Sequence, residues 1–214
     1  MAIDKIELQR RLKGRTPDQQ KVIKYFCGVG GCFNKFSDAD YDAMLSAKVK
    51  ATDFKAKALA KIGLDAEEVN EIAPVTFEGY VFDNNKAYSI CGKDGKWRSS
   101  MYQITWLFFS STQVYFYTYV FNMDEDGKKE STEEYFYRDI TNFSTTSDTV
   151  EREVPVTKGC AFKKVTVWER RNIETNRFSL IVPGDKMYCA MTANETTERA
   201  IQGMKQKLRE KKNA

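Results

Sequence analysis

Residues 101–143, MYQITWLFFSSTQVYFYTYVFNMDEDGKKESTEEYFYRDITNF, decide the fold. Two aromatic-rich runs are divided by Ser110-Ser111-Thr112, and a third follows the acidic turn Asp124-Glu125-Asp126-Gly127. Aromatic and β-branched residues suit a pleated, half-buried surface, and Gly-containing polar turns join such runs into hairpins. The stretch therefore reads as one antiparallel meander, with its third strand over 133–140. Within 113–121 the alternation sends Val114, Phe116, Thr118 and Val120 to one face. Tyr115, Tyr117, Tyr119 and Phe121 fall on the other. Both faces are bulky, so neither is expected to stand free in water.

The pattern extends outward from this meander. Upstream, 77–82 and 86–90 read as strands, followed by a turn at Lys93-Asp94-Gly95-Lys96. Downstream, 163–170 and 176–182 read as a hairpin around Glu174-Thr175, with Val165, Val167, Phe178 and Leu180 as core candidates. Pro183-Gly184-Asp185 turns the chain into a short strand over 186–190. Asn194 then caps a helix whose apolar stripe is Ala200, Ile201, Met204 and Leu208.

Before Pro74 the period changes to helical. Thr16-Pro17 is a helix start, Ser37 opens a second helix, and Thr52 is the expected cap of a third that Gly63 closes. The expected fold class is α+β. A helical segment over 1–73 precedes a domain over 74–214 of about seven antiparallel strands, sandwich or barrel, with a C-terminal capping helix.

Composition narrows the chemistry. The chain has 214 residues and no histidine, which removes Ser-His and Cys-His nucleophile pairs and His-based metal sites. Acid–base work would fall to Lys, Tyr, Cys, Asp and Glu with perturbed pKa values. No catalytic residue, metal ligand or cofactor is nominated. A net charge of +4 against 34 basic and 30 acidic residues describes a mixed surface, so no nucleic-acid partner is expected. No run reaches the length of a membrane span, and the first residues lack the apolar core of a signal peptide. Reduced thiols and a cytoplasmic location are the expectation for the five cysteines.

Two constellations stand out. Lys93, Lys96, Trp97 and Arg98 gather three cations and an indole at a hairpin tip, a candidate site for a phosphate or an anionic membrane surface. The same residues also fit a solvated hairpin whose Trp97 packs on the strands. Tyr115, Tyr117 and Tyr119 form a strand face that either lies under the protein's own helices or meets a partner. Cys27-Gly-Val-Gly-Gly-Cys32 lacks further soft ligands nearby and reads as a glycine-broken turn.

The runs Thr105-Trp-Leu-Phe-Phe109, Val114-Tyr-Phe-Tyr117, Tyr135-Phe-Tyr-Arg-Asp-Ile-Thr141 and Phe178-Ser-Leu-Ile-Val-Pro-Gly184 come in a fixed order before the closing helix. That order resembles the pleckstrin-homology-like (PH-like) fold, and more narrowly the bacterial PH-like domains, over about residues 75–210. The whole chain is similar to a family from Gram-positive bacteria that carries no activity over to it. The resemblance implies a bent seven-stranded barrel closed by a helix, used as a binding scaffold. The expected function is thus a non-enzymatic cytoplasmic binding or scaffolding module for a protein or peptide, or one that self-associates. Capture would occur at an exposed strand edge or in a groove between that edge and the capping helix. The alternatives are a peripheral anionic-lipid binder acting through Lys93–Arg98, and an enzyme working without histidine.

Overall fold

The computed structural model describes residues 5–29, 36–69, 72–160 and 163–212. Four helices come first: α1 (Lys5–Leu12), α2 (Pro17–Phe26), α3 (Asp38–Lys50) and α4 (Phe54–Ile62). Thr16 and Ser37 each close a capping box, the side chain accepting from the N3 amide while the N3 side chain accepts from the cap. The third cap is Asp53 rather than the expected Thr52, its carboxylate accepting from Ala56 N–H.

Nine strands follow: β1 (Ile72–Tyr80), β2 (Ser89–Cys91), β3 (Trp97–Ser99), β4 (Met101–Phe109), β5 (Gln113–Asn122), β6 (Lys128–Phe136), β7 (Asn142–Cys160), β8 (Lys163–Val182) and β9 (Asp185–Ala190). The chain ends in α5 (Glu195–Lys212). All pairings are antiparallel. The sheets are β1-β4-β5-β6, β7-β8-β9 and the two-stranded ribbon β2-β3.

The α+β class stands, and no closed barrel forms among the described strands. The two larger sheets approach each other where β1 meets β9. There Thr192 N–H donates to Glu78 C=O at 2.9 Å. The approach is close at Gly79, where a Cβ would sit 3.2 Å from the backbone of Met191. On the other side, β6 and β7 diverge after a 3-10 turn at Tyr137–Asp139 and share no ladder.

Three strand expectations need correction. The third meander strand starts at Lys128, not 133, because β6 is held by β5 and not by its own polar residues. The break expected at Glu174-Thr175 does not exist. Thr175 is buried and pairs with Asp148 inside the continuous strand β8. Its partner β7 gave no strand signal, since NFSTTSDTVEREVPVTKG is polar on the exposed face and carries Pro155. Proline is tolerated there because β7 lies at the edge of its sheet. The β7–β8 ladder runs from Asn142↔Ile181 to Cys160↔Lys163. At the usual rise per residue, that is an arm of roughly 60 Å.

The four-stranded sheet is covered on both faces. On one, Phe77, Leu107, Phe109, Val114 and Phe116 meet Phe143, Phe178, Leu180, Met187 and Cys189 of the second sheet. Ile201, Met204 and Leu208 of α5 close the end of this core. On the other face, Tyr102, Ile104, Phe108, Tyr117 and Phe121 pack under α2, α3 and α4 through Val22, Phe26, Tyr41, Leu45, Phe54 and Ala58. The helical segment expected over 1–73 therefore shares a core with the strand region. The far end of the long arm turns back to α2, where Thr166 Oγ1 donates to Gly28 C=O at 3.3 Å.

Candidate functional site

The cationic hairpin tip is tied to the helices. Arg98 is 3% exposed and grips two carboxylates. Its Nε and Nη2 donate to Asp42 at 2.8 and 2.7 Å, and its Nη1 and Nη2 donate to Asp94 at 2.9 Å each. These hydrogen bonds hold the Asp94 carboxyl well below the usual carboxylate range and push the Arg98 pKa up further. Asp38, at the start of α3, accepts from Lys93 N–H at 2.7 Å and from the Tyr25 hydroxyl at 2.8 Å.

A Cβ at Gly92 would overlap the Arg98 guanidinium and the carboxylates of Asp94 and Asp38. Lys93 and Lys96 remain exposed, while Trp97 packs against the cluster of Phe82, Val154 and Ile173. Of the four residues expected at this tip, two thus face solvent and Arg98 faces inward. Asp38 and Asp42 were not legible as its surroundings, because they lie more than fifty residues away in sequence.

The tyrosine face is occupied by the protein itself. Tyr117 is fully buried, and burial pushes its hydroxyl well above the usual phenol range. Tyr119 meets the Phe54 ring at 5.1 Å, with Lys57 Nζ 4.4 Å above it. Tyr115 is half-buried and donates to Gln113 Oε1 at 2.9 Å. The helices α2 to α4 cover the surface that was open to a partner in the sequence reading.

Two concave surfaces among the described residues bear on function. One lies between α3 and β1, about 510 Å³, lined in part by Asp42, Val49, Glu78, Tyr80, Trp97 and Tyr102. Burial raises the Glu78 carboxyl there, against a hydrogen bond from Tyr102 that lowers it.

The other, about 570 Å³, runs between β7 and α5 and is lined by Thr145, Glu195, Glu198, Arg199, Ile201, Gln202 and Lys205. Its helix wall is set by Asn194, which accepts from Thr197 N–H at 3.0 Å and donates its own N–H to Thr197 Oγ1 at 3.0 Å. Its strand wall is an edge: among the described strands β7 pairs with β8 alone. Ile201 supplies an apolar floor, and Glu195 and Arg199 form an ion pair on the rim. Sequence reasoning missed Thr145, Arg199 and Gln202. The one available signal was that they border the apolar stripe of α5 or lie in a Thr/Ser run.

No group of three or more potential metal ligands occurs among the described residues. Cys27 and Cys189 are buried free thiols, and burial pushes both upward, Cys189 to about 12. Cys32 lies outside the described residues. No described helix is long and apolar enough to cross a membrane. No family model, no curated protein and no solved structure matches this chain.

Proposed function

We propose that this protein is a non-enzymatic, cytoplasmic binding module of PH-like architecture that captures an extended peptide segment in the groove between β7 and α5. One observation carries the reading: an edge strand and the closing helix bound a groove of about 570 Å³ whose floor includes the apolar Ile201. An edge strand offers a row of backbone donors and acceptors to an incoming strand, and the neighbouring helix supplies the side chains that select it. The mixed charges of Glu195, Glu198, Arg199 and Lys205 suit a peptide that is polar outside one apolar anchor.

The PH-like assignment is supported by the order of elements. Apart from the β2-β3 ribbon, the strands fall into a meander of four and a meander of three, and a helix follows. The binding rather than enzymatic reading is supported by the lack of histidine and by the burial of Cys27 and Cys189, which disfavours their thiolates.

Peptides enriched on the full-length chain from a random display library provide the test. Thr145→Trp, which places an indole in the groove from its strand wall, is expected to weaken such peptides by at least about tenfold, or ~1.4 kcal/mol, without changing the far-UV circular dichroism. Equal affinity for both proteins overturns the reading.

A further inference from the structure

The second open edge, β6, has a composition that fits a copy of itself. Asn122 N–H donates to Gly127 C=O at 3.0 Å and Tyr137 N–H to Thr112 C=O at 3.0 Å, which fixes the phase of the β5–β6 ladder. Counting by twos along the register, Lys129, Ser131, Glu133 and Tyr135 direct their backbone groups to β5. Lys128, Glu130, Thr132, Glu134 and Phe136 direct theirs outward. No other strand among the described residues pairs with β6 on that side.

A bare edge of this length is a template for another chain, and its charges decide which one. The sequence Lys128-Lys-Glu-Ser-Thr-Glu-Glu134 is charge-complementary to its own reverse. Laid antiparallel on a second copy with Ser131 on the two-fold axis, Lys128 faces Glu134 and Lys129 faces Glu133. Glu130 faces Thr132, and every charged match occurs twice by symmetry. The phase agrees as well, because the outward-directed Lys128 then meets the outward-directed Glu134, and Glu130 meets Thr132.

Neighbouring registers of the same phase lose this. Shifting by one pair sets Glu130 against Glu134, and shifting the other way sets Glu130 against Glu130. Like charges directly opposite are unfavourable, so the pattern selects a single register.

The side chains are placed to take part. Lys128, Lys129, Glu133 and Glu134 are exposed. Glu130 is held aside by Lys57 at 2.6 Å and contacts Lys128 at 3.5 Å, and Glu133 accepts from the Tyr135 hydroxyl at 2.8 Å. We propose that two copies of this chain pair edge to edge through β6, antiparallel about Ser131, to make one sheet continuous across a two-fold dimer. This edge is separate from the β7–α5 groove, so either proposal can fail without the other.

Sedimentation equilibrium of the full chain tests it. Wild type is expected to be dimeric at micromolar concentration. Lys128→Glu/Lys129→Glu makes the edge wholly acidic, and Glu133→Lys/Glu134→Lys makes it basic except at Glu130. Each variant alone is expected to be monomeric, with dimerisation weakened at least about tenfold. An equimolar mixture of the two is expected to form a heterodimer. A monomeric wild type, a dimer of either variant alone, or a mixture that stays monomeric overturns the proposal.

Discussion

Arg98 and Asp42 lie fork to fork, Nε to Oδ1 at 2.8 Å and Nη2 to Oδ2 at 2.7 Å, and so bolt the β2-β3 ribbon to α3. Asp94 closes the other side of the same guanidinium. The arginine that made the hairpin tip look like an anion site therefore serves as a joint between helix and strand.

Replacing Arg98 by alanine is expected to destabilise the fold by about 2 kcal/mol, below the cost of breaking a fully buried pair because both carboxylates are partly exposed. Arg98→Lys keeps the charge but loses the planar fork, and should recover less than half of that loss. Urea denaturation followed by circular dichroism measures both.

With Arg98 engaged internally, the cations that point to solvent at this tip are Lys93 and Lys96, next to the exposed Asp94. Lys93→Ala/Lys96→Ala is expected to leave co-sedimentation with phosphatidylserine vesicles unchanged from wild type. A clear loss of vesicle binding in the double variant would revive the lipid reading.

Two buried tyrosines predict opposite results on losing a hydroxyl. Tyr41 donates to Ser99 C=O at 2.6 Å, so Tyr41→Phe should cost about 1 kcal/mol by leaving that carbonyl unpaired. The Tyr117 hydroxyl is buried with no hydrogen-bond partner among the described residues. Tyr117→Phe should be neutral, or more stable by up to about 1 kcal/mol. Equal destabilisation by both would contradict the geometry.

Asp124 carries a pH signature. Its carboxyl is buried, and burial raises its pKa above the ordinary value against hydrogen bonding from Ser100 and the charge of Arg15. The raised value means that its contribution favours the folded chain most at low pH and is lost as pH rises through the folded-state pKa. Relative to wild type, Asp124→Asn should therefore gain stability as pH goes from 4 to 7. Parallel curves of melting temperature against pH would refute this.

How far the sequence carried the fold depends on where the ordering force lies. The caps at Thr16, Ser37 and Asn194 are local, and each appears at the residue named. The aromatic strands β4 and β5 were legible because their own side chains fill the core. Strand β7 was not, because its place is set by a ladder to β8 whose widest pair is Asn142 with Ile181. Nor was the start of β6, whose Lys128-Lys-Glu-Ser-Thr run has low strand propensity and is ordered by pairing with Phe121 to Tyr117.

The same division holds for the sites. Lys93 and Lys96 were placed by the Asp-Gly turn between them, whereas the burial of Arg98 depends on Asp42 in a distant helix. Tyr117 was readable as a strand residue, but its cover comes from the N-terminal helices. The groove beside Thr145 required knowing that β7 exists.

The most direct measurement of the central claim is an amide chemical-shift map of the full chain titrated with a peptide enriched on it. Capture between the edge strand and the closing helix predicts the largest shifts at Phe143–Ser147 of β7 and Glu195–Lys205 of α5, with the hairpin tip at Lys93–Arg98 unmoved. Shifts centred on that tip or on the α3–β1 cleft, with β7 and α5 silent, would contradict the account.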